Sequence, residues 1–370
     1  MTIPPLPKAR LRDLGICLGE LQPGPLNAIT DIPGVLVGLC TVIQDSPAVA
    51  RTGVTAIFPR LDIHADFAYG AYYSFNGIGE MTGIPFLEET GLVTSPVLLT
   101  NTNQVGLAHE ALARYGTRKY GGRGFIDKLS IVAETWDGWL SDIQSFPVTE
   151  EHVVAALESA ASGPVAEGNT GGGTGMIGYE FKGGTGTASR RVEALGNAYI
   201  TGALVQLNQG WRRHLLVGGV PVGKRISEQI VPSPWPAQPS SSSIIIVIGT
   251  DAPLLPHQCR RLAQRATTGL ARTGGFGFAT SGDIFLAFST GVHPNPRSRP
   301  ETAPSPDPAA NLLHLDVLPE FSLDPLVLGT VEAVEEAILN ALVAAETMTG
   351  FEGHSAYALP HDLLVEACRG

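Results

Sequence analysis

One stretch of the sequence joins a run of serines to a strongly apolar segment. Residues 240–243 are all serine, and Ile-Ile-Ile-Val-Ile follows directly at 244–248. The residues from Val231 onward are rich in proline and serine, which prevents regular pairing and favours a solvated loop. A plain linker entering a core strand would give this pattern. A loop that is cut before a serine would give it too.

A serine that begins a new chain after such a cut can act as a nucleophile. Its α-amine titrates at about pH 8, so at neutral pH a useful fraction is free to accept the proton of the neighbouring hydroxyl. One residue then supplies both nucleophile and base. In this interpretation the loop before the cut is released, and the strand that follows holds the new N-terminal serine rigidly.

Strands and helices alternate along the chain, which predicts a layered α+β fold. The unbroken apolar run that follows Ser243 is typical of a strand in a sheet covered on both faces. The predicted strands are Val35–Val42, Gly53–Phe58, Val97–Thr100, Ser243–Ile248 and Asp283–Phe288. The predicted helices are Glu151–Ala161, Pro256–Arg272 and Val331–Ala345. Two proline-rich loops, Val231–Ser243 and Pro294–Ala310, interrupt this pattern.

The composition excludes several classes of protein. Apolar residues make up 44% of the 370 residues and charged residues 16%, which describes a globule with a large core. The net charge of −11 without any basic run argues against a nucleic-acid partner. No apolar run approaches the roughly 20 residues of a membrane span, so no membrane role is expected. Four scattered cysteines predict reduced thiols and a cytoplasmic location: Cys17, Cys40, Cys259 and Cys368.

Three partial motifs are better explained as ordinary structure. Residues 173–178 match GxGxxG with Glu193 downstream, but neither a strand before it nor a helix after it is predicted. Residues 353–357 approximate GxSxG, but the last glycine is missing and too little chain remains for a triad. His109 and Glu110 begin an HExxH match in which Ala113 replaces the second histidine, so no metal site is predicted.

Several longer motifs closely resemble the DmpA family of self-processing aminopeptidases, which includes β-peptidyl aminopeptidases. The chain is more distantly similar to nylon-oligomer hydrolases and to ornithine acetyltransferase. The resemblance extends nearly from end to end. It is carried by RLRDLGI and PGPLNAITDIPGVLVG (Arg10–Gly38), RTGVTAIFPR (Arg51–Arg60), NGIGEMTG (Asn76–Gly83), LTNTNQVG (Leu99–Gly106), AETWDGWLSDI (Ala133–Ile143), GNTGGGTGMIGYEFKGGTGTASR (Gly168–Arg190), ALVQLNQG (Ala203–Gly210), SIIIVIGTDAPLLPHQCRRLA (Ser243–Ala263) and SGDIFLAFST (Ser281–Thr290).

The resemblance implies roles for individual residues. Ser243 occupies the position of the nucleophile, and Asn208 matches an asparagine that holds the developing oxyanion. Trp139 stands where the family usually has a tyrosine in the oxyanion region, and its indole N–H can also donate. Ser281 and Asp283 match a Ser-Gly-acid motif that orients the amine and hydroxyl of the nucleophile.

Two further residues have implied positions near the site. Lys182 resembles a lysine that lies close to the nucleophile in the nylon-oligomer hydrolases. Glu134 resembles an acid that receives the free ammonium group of the substrate, which would restrict cutting to amino termini. For both residues, a hydrogen-bonded structural role is the alternative.

The family fold is a four-layer αββα sandwich. The resemblance therefore implies a single domain built from two segments, residues 1–242 and 243–370, that remain associated after the cut. The implied reaction releases an N-terminal L-, D- or β-amino acyl residue from a small peptide, amide or ester, with no cofactor. The implied assembly is a homotetramer of processed heterodimers. An acyltransferase of the ornithine type and an uncut, non-catalytic homologue are the alternatives.

Overall fold

Two β-sheets stacked face to face organise the chain. The computed structural model describes residues 8–121, 129–235, 242–294 and 312–369. The strands are β1 (Leu36–Gln44), β2 (Ala50–Phe58), β3 (Ala68–Gly77), β4 (Leu92–Val93), β5 (Val97–Asn101), β6 (Ile131–Thr135), β7 (Ile177–Gly178), β8 (Phe181–Lys182), β9 (Gly184–Ala194), β10 (Asn197–Asn208), β11 (Ser242–Thr250), β12 (Ser281–Ser289), β13 (Met348–Thr349) and β14 (Ser355–Ala356). The helices are α1 (Ile84–Thr90), α2 (Val105–Tyr120), α3 (Glu150–Glu158), α4 (Val222–Arg225), α5 (Pro256–Arg272), α6 (Asp324–Val343) and α7 (His361–Arg369).

The order of the strands and the packing of the helices define four layers. One sheet has the order β1-β2-β5-β6, and the other has the order β4-β3-β12-β11-β10-β9. Helices α2 and α3 cover the outer face of the four-stranded sheet, while α5 and α6 cover the outer face of the six-stranded sheet. The predicted αββα sandwich is therefore confirmed.

Strand β11 lies at the centre of the six-stranded sheet and is buried on both faces. It pairs antiparallel with β10 and parallel with β12. Ile244, Ile246 and Ile248 pack toward α5 and α6, whereas Ile245 and Val247 pack between the two sheets. Alternate side chains of a strand point to opposite faces, so an unbroken apolar run suits this position.

The predicted elements are present, with differences at their ends. The helix at Pro256–Arg272 has the predicted bounds, and a proline in the first turn explains its sharp start. Helix α6 begins at Asp324, seven residues before the predicted Val331. The prediction missed its first turns because they carry Pro325 and lack a clear apolar stripe. The interior of the first proline-rich loop (236–241) and nearly all of the second (from residue 295 on) lie outside the described residues.

A buried group of ion pairs joins the first part of the chain to the last. Arg190 in β9 is fully buried and binds Glu332 at 2.9 Å and Glu336 at 2.7 Å, both on α6. Arg12 also binds Glu336, at 2.8 Å. Burial opposes ionisation of Glu336, but the bonds from Arg12 and Arg190 hold its pKa below the ordinary value. These contacts tie residues on either side of Ser243 into one body.

The described helices include none that is both long and apolar enough to cross a membrane.

Candidate active site

Ser243 lies near the start of β11, between two other strands. It is 5% exposed, and its register partners are Asn208 in β10 and Gly282 in β12. The backbone N–H of Gly282 donates to Ser243 Oγ at 3.2 Å. Ser242 belongs to the same strand and is joined to Ser243 by a peptide bond, so β11 begins one residue earlier than predicted. Neighbouring strands on both sides therefore fix the Ser243 backbone, and the Gly282 N–H orients its hydroxyl.

A cavity of about 670 Å³ opens onto Ser243. This volume is typical of small-molecule sites. Its lining combines apolar, hydroxyl and carboxylate groups, and the residues are Ile78, Gly79, Glu80, Thr102, Glu134, Trp136, Ser243, Ala279 and Thr280. The cavity thus joins the predicted nucleophile to the predicted ammonium-binding acid.

Asn208 ends β10 on the same face as Ser243. Its Nδ2 donates to the carbonyl of Trp136 at 2.8 Å, and its Oδ1 accepts from the N–H of Ile177, also at 2.8 Å. These two bonds fix the orientation of the amide. A side-chain amide carries two N–H groups, so one remains available after the bond to Trp136. Asn208 is not among the residues that line the cavity, but as the register partner of Ser243 it lies on the neighbouring strand.

Ser281 and Asp283 form a bonded pair next to the backbone of Ser243. The Ser281 hydroxyl donates to Asp283 Oδ1 at 2.5 Å. Because Gly282 is the register partner of Ser243, alternation places Ser281 and Asp283 on the opposite face of the sheet. Burial raises the pKa of Asp283 to about 6, although the Ser281 hydroxyl and the Ile244 N–H favour its charged form. The pair therefore lies on the face opposite to the Ser243 side chain, and its bond to β11 comes from the N–H of Ile244.

Glu134 is 4% exposed and faces the cavity from β6. The backbone N–H of Glu80 donates to Oε1 at 3.0 Å, and the Thr102 hydroxyl donates to Oε2. Burial raises the pKa of Glu134, and these two bonds only partly oppose it. Within the described ranges no lysine or arginine forms an ion pair with Glu134. A bound cation would therefore stabilise its charged form strongly.

Lys182 is fully buried but is bound to backbone groups instead of the nucleophile. Its Nζ donates to the carbonyls of Met176 and Gly183 at 2.8 and 2.9 Å. Burial lowers the pKa of its ammonium well below the ordinary value. These bonds brace the loop before Ile177, whose N–H is held by Asn208. Lys182 thus supports the loop that orients Asn208.

Trp139 does not share the cavity lining with Ser243; Trp136, three residues earlier, does. The Trp139 indole packs in a small cluster with Ile177 and Trp235. Its Nε1 is shielded from solvent and has no hydrogen-bond partner among the described residues. A buried N–H without a hydrogen-bond acceptor lowers the stability of the folded protein. Such a group in a native structure therefore calls for an explanation.

Sequence reasoning missed three groups at the site. Trp136 and Thr102 both lie within motifs that carry the family resemblance, yet their spacing gave no sign that they would meet Ser243. The N–H of Gly282 is a backbone group, which residue types cannot reveal. The stacking of the two sheets brings Trp136 and Thr102 to Ser243, whereas the pairing of β12 with β11 brings the Gly282 N–H.

The partial motifs have structural roles. Gly173 lies in a short helical turn instead of a strand-to-helix junction, and a side chain at Gly175 would meet the Arg51 carbonyl at 2.0 Å. Ser355 lies in β14, where its hydroxyl bonds to that of Thr349 at 2.7 Å. Glu110 in α2 pairs with Arg114 at 2.6 Å. In the described part of the chain no three His, Cys, Asp or Glu residues are grouped to hold a metal.

Comparison with known proteins identifies relatives of the whole chain. A β-peptidyl aminopeptidase, BapA, from Sphingosinicella microcystinivorans is 42% identical over 369 residues, covering 95% of this chain and 90% of that protein. The solved structure of a Burkholderia sp. β-aminopeptidase has a TM-score of 0.90 and 44% identity, and covers 98% of both chains.

A second solved structure carries a similar fold. The L-aminopeptidase D-Ala-esterase/amidase of Ochrobactrum anthropi is described as a prototype of the serine aminopeptidases and a variant of the Ntn hydrolase fold. It has a TM-score of 0.88 and 44% identity, with coverage of 97% of this chain and 98% of that one. The model of peptidase family S58 matches residues 27–356. The chain belongs to peptidase family S58 and is a hydrolase that acts on peptide bonds.

Proposed function

We propose that the chain cuts itself between Ser242 and Ser243 and that the freed Ser243 is the nucleophile of an aminopeptidase and amidase-esterase. The main support is one cavity that holds both Ser243 and a buried Glu134 that has no cationic partner among the described residues. The substrates are small peptides, amides or esters with a free amino terminus. The β-aminopeptidase relatives and the Ochrobactrum enzyme support L-, D- and β-amino acyl groups as candidates.

The cut itself uses the Ser243 hydroxyl, which the Gly282 N–H holds in place. Oγ attacks the carbonyl carbon of Ser242, the C–N bond breaks, and an ester C–O bond forms. The hydroxyl proton passes to the departing nitrogen, which becomes the α-amine of Ser243. Water then hydrolyses the ester and releases the carboxylate of Ser242. The segments 1–242 and 243–370 stay together, a step supported by the buried bonds of Arg190 to α6.

Substrate cleavage repeats this chemistry with the new amine as base. The Ser243 hydroxyl gives its proton to the α-amine as Oγ bonds to the substrate carbonyl carbon. The negative charge on the carbonyl oxygen is met by the free N–H of Asn208, and the unpaired indole N–H of Trp139 is the second proposed donor. The C–N bond breaks, the α-ammonium returns its proton to the leaving amine, and water hydrolyses the acyl ester.

Glu134 is expected to restrict the reaction to substrates with a free amino terminus. Replacing Glu134 with glutamine removes the charge but keeps groups that can bond to Thr102 and Glu80. A hydrogen bond to a charged group contributes about 1.5–3 kcal/mol, which corresponds to roughly 10- to 150-fold in rate. We therefore expect kcat/KM for a free-amine anilide to fall by that factor in the variant.

Matched N-acetylated substrates provide the control for this experiment. The wild-type enzyme should cut them very slowly, and Glu134→Gln should change that slow rate little. The ratio of kcat/KM for the free-amine substrate to kcat/KM for the acetylated one should therefore be smaller in the variant. Equal rates for free and acetylated substrates in the wild type would reject the aminopeptidase activity, whereas a loss of stability with unchanged preference would make Glu134 purely structural.

The pH dependence of kcat should report both the α-amine and Asp283. The charged carboxylate of Asp283 is a stronger acceptor for the Ser281 hydroxyl than the neutral acid. Its pKa is about 6, so we expect activity to fall as pH drops through this value. The α-amine titrates at about pH 8 and adds a second acid limb. We expect log kcat to rise with a slope of one from about pH 6 to 8 and more steeply below about pH 6.

Asp283→Asn should leave a slope of one across the whole range, because only the amine then titrates. Circular dichroism at each pH provides the check that both proteins stay folded. A steep limb that persists in the variant would assign that titration to another group.

Assembly and location are proposed on the resemblance. We propose a homotetramer of processed heterodimers in the cytoplasm, and the four cysteines, all described and unpaired, are consistent with a reducing compartment. Two outcomes would contradict the proposal. Transfer of the acyl group to an added amino acid in preference to water would indicate an acyltransferase of the ornithine type, and a single mass would show that the chain is not cut.

A further inference from the structure

The last described residues before the cut, Val231–Trp235, are bound firmly to the body of the protein. The buried Arg212 guanidinium, 2% exposed, donates to the carbonyls of Val231 and Pro232. Its other bond goes to the carbonyl of Glu180 at 2.7 Å, and it lies 4.1 Å from the centre of the Phe181 ring. A guanidinium buried among carbonyl groups has a fixed geometry, so this part of the loop is held in place.

Glu180 completes this clamp, which we define as Arg212, Glu180 and Ser233. The Glu180 carboxylate accepts from the N–H of Arg212 at 3.1 Å and from the Ser233 hydroxyl at 3.0 Å. The Ser233 hydroxyl in turn accepts from the N–H of Trp235 at 3.2 Å. Glu180 has a φ of 62°, which is unfavourable for a residue with a side chain. Surrounding contacts must hold such a conformation in place.

The clamp sets Trp235 against Trp139. The two indoles meet edge to face with their centres 4.7 Å apart. On another side, His354 stacks on Trp139 at 3.7 Å with an angle of 6° and bonds to its carbonyl at 3.1 Å. These two contacts leave the Trp139 ring little freedom, although its own Nε1 has no partner in the part of the chain that the structure describes.

Trp139 is also linked to Asn208. It packs with Ile177, and the N–H of Ile177 bonds to Asn208 Oδ1. Asn208 is the register partner of Ser243. The packing around Ile177 is thus the route by which the Trp139 ring can affect the orientation of Asn208.

We propose that Trp235 is a positioning residue of the active site, which holds the Trp139 indole against the cluster that contains Ile177, and that the clamp keeps Trp235 seated after the chain is cut. The inference rests on the proposed function. It also changes the expected fate of the loop: the residues at 231–235 are part of the working enzyme instead of a leader that the cut releases. Trp235 lies seven residues before Ser242, on the segment upstream of the cut.

The test compares Trp235→Ala with Trp235→Phe and with Ile230→Ala. Ile230 precedes the clamped residues, is 53% exposed, and serves as the matched control. Intact mass gives the extent of cleavage, and rates are expressed per mole of the fragment that begins SIIIVIGT. Because small displacements near reacting groups can cost about 100-fold, we expect Trp235→Ala to lower kcat by roughly 10- to 100-fold with KM within about twofold. Trp235→Phe should retain most activity, and Ile230→Ala should match the wild type.

Near-UV circular dichroism supplies a second readout, because the Trp139–Trp235 contact gives a signal that Trp235→Ala must remove. If Trp235→Ala does not fold or is not cut, Ser233→Ala becomes the deciding variant. It removes the bonds of Ser233 to Glu180 and Trp235 but keeps both indole rings. We then expect kcat to fall by at least threefold. A kcat within twofold of wild type in the deciding variant, or a change confined to KM, overturns the inference. Failure of the proposed function would appear differently, as a wild-type protein that hydrolyses no amide.

Discussion

Replacing Ser243 with alanine is expected to leave one uncut chain of 370 residues and to abolish turnover. Both steps of the proposed reaction depend on this hydroxyl: it attacks Ser242 during processing, and it attacks the substrate carbonyl afterwards. Without the cut, the α-amine that serves as base also never forms. Loss of a nucleophile that works with its base as a unit typically lowers kcat by about 10⁴- to 10⁶-fold. Intact mass and hydrolysis of a free-amine anilide measure the two effects separately.

Ser242→Ala is the matched control. Ser242 is the neighbouring residue, is buried to a similar degree in β11, and pairs with Ser281 instead of Gly282. This variant should still yield a fragment that begins SIIIVIGT and should keep most of its activity. Processing that persists in Ser243→Ala, or that starts at another serine, would remove Ser243 from its assigned role.

The second large effect is expected at Asn208. Removal of one oxyanion donor typically costs about 10²- to 10³-fold in kcat. Asn208→Asp is the most informative change, because it keeps the size of the side chain and the acceptor for the Ile177 N–H. It replaces the donor with an oxygen that repels both the Trp136 carbonyl and the developing oxyanion. We therefore expect kcat to fall by at least 10²-fold, with KM much less affected.

Gln206→Ala separates this effect from a general loss of packing. Gln206 lies two residues earlier on the same face of β10, and its amide bonds to the Thr100 carbonyl and the Thr135 hydroxyl. Its loss should lower the free energy of unfolding by about 1–3 kcal/mol and leave kcat near the wild-type value. A fall of less than threefold in Asn208→Asp would show that Asn208 does not hold the oxyanion.

The central strand and the helix after it could be predicted from local sequence. The run Ile244–Ile248 is apolar at every position, and only a strand covered on both faces can bury every side chain of such a run. Pro256 marks the start of α5, because proline fits the first turn of a helix and no later one. Composition and periodicity are therefore sufficient where burial is complete or a terminus has its own signal.

Strand β9 shows where local reasoning fails. Arg190 lies in the middle of this strand and is fully buried, a position that sequence patterns reserve for apolar residues. It is stable there only because Glu332 and Glu336 reach it from α6, more than a hundred residues later. A buried charge needs its partner, and no local pattern reveals a partner so distant in sequence.

The active site also combines features that follow from the sequence with features that depend on contacts between distant residues. The sequence by itself marked the junction of a solvated loop with an apolar strand, and the family motifs supplied Ser243, Asn208, Asp283 and Glu134. Tertiary structure decided the rest. The stacking of the two sheets set Glu134 and Ser243 in one cavity, and the register of β12 turned Asp283 away from the hydroxyl. Side-chain direction depends on strand pairing and layer packing, which act between residues far apart in the chain.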